Sequence, residues 1–278
     1  MVATDLDGTI VRPDGSVSPR TVRALRRCTD AGVDVVFVTG RPPRWLAEVS
    51  RATGLWGVAV CANGAVVYDV GADSVLAVHP VPVEVIAEAV ARMRRALGPV
   101  DVALETAEGF ELEPTYRTRW DADVVPERKA FLAELLQADP QVLKVLLRAE
   151  DRTADAMLAT AREVLGDTVT ATHSNARDCL LELSAAGVSK AGTLATLAAA
   201  RGIAAADVIA FGDMPNDVEM LRWAGAGYAM TGGHPEAVAA ADHTAPSVLE
   251  DGVAQVLERL LEAGVRAPSG SAPSGSAP

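Results

Sequence analysis

Two hydrophobic rhythms alternate along the first 80 residues. Val33 to Val38 (VDVVFV) is nearly continuous and rich in β-branched residues, as a strand buried on both faces should be. The opening Met1-Val-Ala-Thr is a shorter strand running straight into the acidic turn Asp5-Leu6-Asp7-Gly8-Thr9. Between them Ser18-Pro19 starts a helix. Serine caps it, proline suits the first helical position, Val22, Leu25 and Cys28 mark the apolar face, and Gly32 ends it. A second helix is predicted from about Pro43 and a strand from Val58 to Cys61. Asn63-Gly64 then forms a tight turn into Val66-Val67-Tyr68. This alternation predicts a parallel sheet with helices on both faces.

The middle of the chain is patterned differently. An amphipathic helix spans about Val83 to Leu97, and short alternating segments follow at Val102–Glu105 and Phe110–Glu113. A helix from Glu127 to Gln137 leads to a strand at Leu143 to Leu147, then a helix from Thr153 to Leu165 and strands near Val169 and Leu180. The parallel pattern then resumes. Ser189 caps a helix reaching about Arg201, and Val208 to Phe211 is a buried strand. Short strands follow at Gly227–Met230 and His243–Thr244, with a last helix from Val253 to Leu261. The expected fold is α/β: a doubly wound (Rossmann-like) parallel-sheet core from residues 1–82 and 184–265, with an inserted α+β cap domain at 83–183. Residues 266–278 carry the repeat PSGSAPSGSAP and read as a disordered low-complexity tail.

Composition supports a folded protein of one large or two medium domains: 278 residues, 49% hydrophobic and 22% charged. The net charge of −12 argues against nonspecific nucleic-acid or anionic-membrane binding, and an anionic substrate would need cations supplied locally. No apolar run is long enough to span a membrane, and no basic start with an apolar stretch precedes the first strand, so a cytoplasmic location is expected. Cys28, Cys61 and Cys179 are odd in number and widely spaced. They read as small buried hydrophobes in a reducing compartment, not as a disulfide framework or zinc knuckle.

Candidate chemistry sits where predicted strands end. Asp5 and Asp7 are two apart at the end of a strand, so their carboxylates are expected to point the same way. Two like charges ~4 Å apart repel by roughly 4 kcal/mol at an effective dielectric near 20, which a bound cation or one proton would relieve. Thr39-Gly40 offers a hydroxyl and open backbone N–H groups at the end of the next strand. Lys190 lies in the first turn of a helix, where the dipole disfavours a cation unless an anion is present. Asp213 directly follows a third buried strand, and Asn216 and Asp217 lie in the turn before the next helix. In a doubly wound sheet these loops share the carboxyl edge where ligands bind. Together they describe a divalent metal held by acids beside a phosphate held by threonine, lysine and backbone amides.

These segments resemble, in order, the motifs of the haloacid dehalogenase superfamily of phosphatases. Asp5-Leu6-Asp7-Gly8-Thr9 is similar to the first, Thr39-Gly40-Arg41-Pro42 to the second, Lys190 to the third, and Gly212-Asp213-Met214-Pro215-Asn216-Asp217 to the fourth. Asn63-Gly64-Ala65, Val188-Ser189-Lys190, Asp251-Gly252-Val253 and the cap insertion resemble the Cof-type branch. Ala191 stands where that branch usually has glycine, and Thr231-Gly232-Gly233-His234 replaces a more usual Gly-Asn-Ala stretch. The resemblance implies Asp5 as nucleophile and Asp7 as general acid and base. Magnesium would be held by Asp5, the main-chain oxygen of Asp7, and Asp213. Phosphate oxygens would be held by the Leu6 backbone, Thr39, Gly40, Lys190 and Asn216. Asp217 would lie behind them, orienting Lys190 or close to the metal. The implied activity is magnesium-dependent hydrolysis of small phosphorylated metabolites such as sugar phosphates, through an aspartyl-phosphate.

Two other readings remain open: a phosphomutase using the same chemistry, and a phospho-receiver signalling module, which fits poorly because such modules are shorter and lack the cap. His79, His173, His234 and His243 show no metal-binding spacing and are expected to be structural or exposed. Tyr116, Arg117, Arg119, Trp120 and Lys144 could face a substrate from the cap, although ordinary packing accounts for any one of them. Glu182 matches a Cof-type position without an evident role. The partner expected is a small phosphorylated molecule; oligomeric state is not legible.

Overall fold

The computed structural model describes residues 1–107, 109–117 and 126–264. Arg119, Trp120 and the 266–278 tail lie outside the described residues.

The first strand, β1 (Val2–Thr4), is followed by α1 (Pro19–Asp30), whose Ser18 cap accepts the Thr21 N–H as the sequence predicts. Then come β2 (Val35–Val38), α2 (Leu46–Thr53), β3 (Val58–Cys61), β4 (Val66–Asp69) and β5 (Ser74–Val78). The second region holds α3 (Val83–Leu97), β6 (Asp101–Thr106), β7 (Phe110–Leu112), β8 (Arg128–Lys129) and α4 (Leu132–Gln137). It continues through β9 (Val142–Arg148), α5 (Ala154–Leu165), β10 (Val169–Thr172) and β11 (Leu180–Ala185). The chain returns with α6 (Lys190–Ala200), β12 (Ile209–Gly212), α7 (Val218–Trp223), β13 (Ala226–Met230), α8 (Pro235–Ala240), β14 (His243–Ala245) and α9 (Gly252–Glu262).

The core sheet has eight strands in the order β14-β13-β12-β1-β2-β3-β4-β5 among the described residues. Pairing is parallel from β14 to β3 and antiparallel from β3 through β5. Strand alternation sends neighbouring side chains into separate cores. Val2, Phe37 and Phe211 join the layer under α1 and α9, while Ala3, Val36, Val38 and Ala210 join the layer holding Leu194 of α6 and Met220 of α7. Both faces are therefore buried, which is why β2 reads as an unbroken hydrophobic run. At one edge the parallel sheet gains two antiparallel strands: β4 turns back after Asn63-Gly64, where the sequence predicts a tight turn, and β5 pairs with it. The sequence does not announce β5, because an edge strand with partly exposed side chains lacks a buried run.

The cap sheet runs β10-β11-β9-β6-β7-β8 and is antiparallel except between β7 and β8. One face is covered by α3 and α5: Val102, Leu104, Val145, Leu147, Leu181 and Leu183 meet Ile86, Met93, Met157 and Leu158. The alternate positions, among them Glu105, Lys144, Leu146, Leu180 and Glu182, line a cleft facing the core. Period-two alternation thus places buried charges on the cleft side. The helix expected over Glu127–Gln137 starts only at Leu132. Arg128 and Lys129 pair with Glu111 and Leu112 as a short strand, a tertiary pairing that overrides the helical spacing.

Candidate active site

The carboxyl ends of β1, β2 and β12 converge with the start of α6 and the turn before α7. Lys190 Nζ lies 2.6 Å from Asp5 Oδ1 and 2.6 Å from Asp217 Oδ1, and Lys190 and Asp217 are buried completely at their side chains. The second oxygen of Asp217 accepts the backbone N–H groups of Asp213 and Met214, each at 3.0 Å, which pins the turn. Thr9 Oγ1 reaches Asp213 Oδ1 at 3.4 Å. Oxygens of Asp5, Asp213 and Asp217 all lie within 4.8 Å of one another. Lys190 stands at the N-terminal end of α6 because its two anionic neighbours outweigh the helix dipole.

Local backbone geometry makes this packing feasible. Leu6, fully buried, turns its carbonyl to accept the N–H groups of Thr9, Ile10 and Val11, which wraps the chain tightly after β1. Gly8 has φ +81°, and a Cβ there would stand 2.3 Å from Asp213 Oδ2, so only glycine lets the loop approach that carboxylate. Gly64, at φ +105°, has no room for a Cβ either, because Ser189 O would lie 2.3 Å away. Its carbonyl accepts the Thr193 hydroxyl at 2.8 Å, clamping the turn after β3 against α6. Thr39 is buried, and its hydroxyl accepts the Arg41 N–H at 3.0 Å while Gly40 follows at the mouth of the cleft.

Three buried or half-buried carboxylates share one ammonium. Burial, opposed by Lys190 and reinforced by Asp217, pushes the Asp5 carboxyl up to about 7. Burial together with Asp5 and Asp217 pushes Asp213 up to about 9. Burial alone would lower Lys190, but Asp217 and Asp5 outweigh it and hold its proton more tightly than usual. The cluster is built to receive positive charge.

Asp7 departs from expectation. Asp5 and Asp7 both line the cleft, yet their carboxylates take different partners. The strand ends at Thr4, so strand alternation does not carry through to Asp7. Arg41 grips both Asp7 oxygens, Nε to Oδ2 at 2.8 Å and Nη2 to Oδ1 at 2.5 Å, and the Asp7 side chain is 56% exposed. Its carboxylate stands apart from the acidic trio.

The cleft between core and cap has a volume of about 740 Å³. Lys144 is buried on its cap wall, bonded to Glu182 Oε1 at 2.6 Å and to the Gly40 carbonyl at 2.9 Å. Arg44 bonds to Glu105 across the same cleft. Tyr116 is instead packed with Phe110 and under the Arg148 guanidinium, and Arg117 is exposed. Arg41, Asn63 and Glu182 are site members to which the sequence alone assigns no role. Asn63-Gly64 signals a turn and, with Ala65, a resemblance to the Cof-type branch, but no role for the Asn63 side chain.

Outside the cleft, α5 of the cap is tied to α8 of the core. Arg162 forms a paired bridge to Glu236, and Asp155 Oδ1 meets Nε2 of both His173, at 2.7 Å, and His234, at 3.0 Å. His234 Nδ1 accepts the Glu236 backbone N–H, so its Nε2 carries the proton and donates to Asp155. The Thr231–His234 stretch thereby serves as a cap-to-core tie, and the His234 backbone N–H also donates to the Asp213 carbonyl at 2.7 Å.

Comparison with known proteins agrees with this geometry. The sequence profile of haloacid dehalogenase-like hydrolases matches residues 2–257. The chain is 29% identical over 248 residues to a pyridoxal phosphate phosphatase of Escherichia coli, covering 83% of this chain and 87% of the relative. It is 28% identical over 263 residues to a 5-amino-6-(5-phospho-D-ribitylamino)uracil phosphatase of Bacillus subtilis, covering 94% and 97%. A solved phosphatase of the haloalkanoate superfamily from Bacteroides thetaiotaomicron superposes with a TM-score of 0.76 at 22% identity, covering 93% of each chain. With its motif order, its doubly wound core and its inserted cap, the chain belongs to the haloacid dehalogenase-like hydrolases and is a phosphatase of that family.

Proposed function

We propose that this phosphatase hydrolyses small phosphorylated metabolites, sugar phosphates among them, through an aspartyl-phosphate on Asp5 with magnesium as cofactor. The observation that carries the reading is the Lys190 ammonium bonded to Asp5 inside a cluster of three carboxylates. Three clustered carboxylates beside one ammonium, with burial first and the neighbouring acids second pushing the Asp5 and Asp213 carboxyls up, fit a hard divalent cation with oxygen ligands. Asp5, the Asp7 main-chain oxygen and Asp213 would hold it. Bound there, magnesium would place positive charge against the phosphate oxygens.

The chain's own groups do the rest. The Leu6 and Gly40 backbone amides, the Thr39 hydroxyl, Lys190 and Asn216 hold the phosphate oxygens. An Asp5 oxygen attacks phosphorus as the bond to the leaving alcohol oxygen breaks, and Asp7 gives that oxygen a proton. Water then attacks phosphorus, Asp7 takes its proton, the bond to Asp5 breaks and inorganic phosphate leaves. A carboxylate approaching a phosphate dianion meets repulsion of roughly 8 kcal/mol at an effective dielectric near 20, which the Lys190 ammonium helps offset. Arg41 must release Asp7 before Asp7 can serve the leaving group, which frees the guanidinium to meet substrate. Ser174, Asn175 and Asp178 on the cleft wall suit a hydroxylated leaving group. In this reading residues 1–82 and 184–265 are the catalytic core, 83–183 is a cap that closes over it, 266–278 is a low-complexity tail outside both, and the enzyme works in the cytoplasm.

The experiment is a panel of sugar phosphates, with pyridoxal phosphate included, assayed for phosphate release after chelation and after magnesium is added back. Release restored by magnesium is the expected outcome. Full activity in chelated enzyme would remove the metal from the mechanism, no release from any monoester would reject the reading, and isomer formation without free phosphate would favour a mutase.

A further inference from the structure

A chain of buried side chains runs from the cap to the proposed phosphate ligand Asn216. Lys144 on β9 bonds to Glu182 Oε1 on β11. Glu182 Oε2 accepts Asn63 Nδ2 at 2.8 Å, and Asn63 Oδ1 accepts Asn216 Nδ2 at 3.1 Å. All four residues are at least nine-tenths buried. The direction of these bonds is dictated by chemistry. A carboxylate paired with an ammonium accepts, so Asn63 must turn its NH2 to Glu182 and its carbonyl to Asn216. Asn216 must answer with its own NH2. Its Oδ1 is consequently left buried without a hydrogen-bond partner among the described residues, an unfavourable state that the rest of the chain enforces.

The same orientation is the one an oxyanion needs. Asn216 Nδ2 lies 3.6 Å from where a Cβ on Gly40 would stand, so the NH2 faces the Thr39–Gly40 loop. One of its hydrogens is taken by Asn63, and the other is available on the loop side. A flipped amide would turn a carbonyl oxygen toward the phosphate. Glu182 belongs to the cap, and Lys144 also bonds to the Gly40 carbonyl, so Glu182 reaches Asn63 only while the cap is seated.

We propose that Glu182 and Asn63 are positioning residues that fix the Asn216 amide with its NH2 toward the phosphate, so that seating the cap completes the phosphate site. This rests on the phosphatase reading above. Neither residue touches the reacting atoms, and both act through Asn216.

The test moves the charge along the chain. In Glu182→Gln the amide introduced at position 182 keeps its oxygen on the Lys144 ammonium and turns its NH2 to Asn63, the direction of the chain reverses, and affinity for inorganic phosphate falls roughly ten- to a hundredfold. Asn63→Asp alone sets two carboxylates against each other and weakens phosphate binding at least as much. The double variant Glu182→Gln/Asn63→Asp restores direction. The carboxylate it places at position 63 accepts from the amide at position 182 on one side and from the Asn216 NH2 on the other. Phosphate inhibition constants, kcat and KM for para-nitrophenyl phosphate, and thermal midpoints are measured on wild type and all three variants. Recovery of phosphate affinity and KM in the double variant to within a few-fold of wild type, against the loss in each single variant, supports the inference. Single variants with wild-type phosphate affinity overturn it, as does a double variant whose phosphate affinity is no better than that of the singles, whatever its thermal midpoint. Absence of turnover in wild type would instead reject the phosphatase reading, and this inference with it.

Discussion

Lys190 Nζ and Asp5 Oδ1 stand 2.6 Å apart although 185 positions separate them in sequence. The same ammonium also holds Asp217, so one side chain offsets two buried anions. Removing one partner from a buried charge pair costs roughly 3–5 kcal/mol. Lys190→Met should lower the unfolding free energy of chelated protein by an amount of that order and reduce turnover at least about a hundredfold. Denaturant titration and para-nitrophenyl phosphate hydrolysis check both, and near-normal turnover would refute the role of Lys190.

Asp5→Asn should abolish turnover by several orders of magnitude while preserving the fold. Burial disfavours the charged form of Asp5, so the neutral amide should also raise the thermal midpoint of the chelated protein. Hydrolysis at the wild-type rate would show that another group attacks phosphorus.

The pH dependence of stability has a definite sign. Asp5 moves from its usual 3.8 up to about 7 and Asp213 from 3.8 up to about 9, so both bind protons more tightly in the folded chain than in the unfolded one. Between about pH 4 and pH 9 the folded state carries the extra protons, and stability from this pair falls as pH rises. Chelated protein should therefore unfold at progressively lower denaturant from about pH 5 to pH 9, and saturating magnesium should flatten the slope. A chelated protein that grows steadily more stable over that range would contradict the reading.

Gly8→Ala forces a side chain into a φ +81° position and against Asp213 Oδ2. The left-handed backbone alone costs roughly 1–2 kcal/mol. Because the methyl must also push Asp213 aside, the variant should need more magnesium for half-maximal activity than wild type. A magnesium titration of activity measures this, and an unchanged midpoint would mean that Asp213 does not set metal affinity.

Much of the fold was legible because its local signals agree with its tertiary context. Ser18 and Ser189 cap the helices they were expected to cap, and α3 begins and ends at Val83 and Leu97 as its spacing predicts. The carboxyl edge was legible because buried parallel strands stop abruptly at Asp5, Thr39 and Asp213. What was not legible depends on partners far away in sequence. Arg128 and Lys129 become a strand only because β7 lies beside them. Asp7 turns to Arg41, and Asn63 serves Glu182 and Asn216, through contacts that no local spacing encodes. Lys144 was legible only as one of several cap side chains that could face a substrate and Glu182 only as a match to a Cof-type position, because the cleft that pairs them is formed between the two sheets.

β11 ends at Ala185 and α6 begins at Lys190, so a joint of only four residues links the cap's returning strand to the helix whose first residue is the ammonium bonded to Asp5 and Asp217. That joint works as a ruler. One added residue would shift the start of α6 against β11, and one added within the helix just after Lys190 would turn that side chain by about 100° around the helix axis, away from Asp5. A foreign cap could be grafted onto this core only if its exit strand reached Ser189 at the same length, whatever new wall it brought to the cleft.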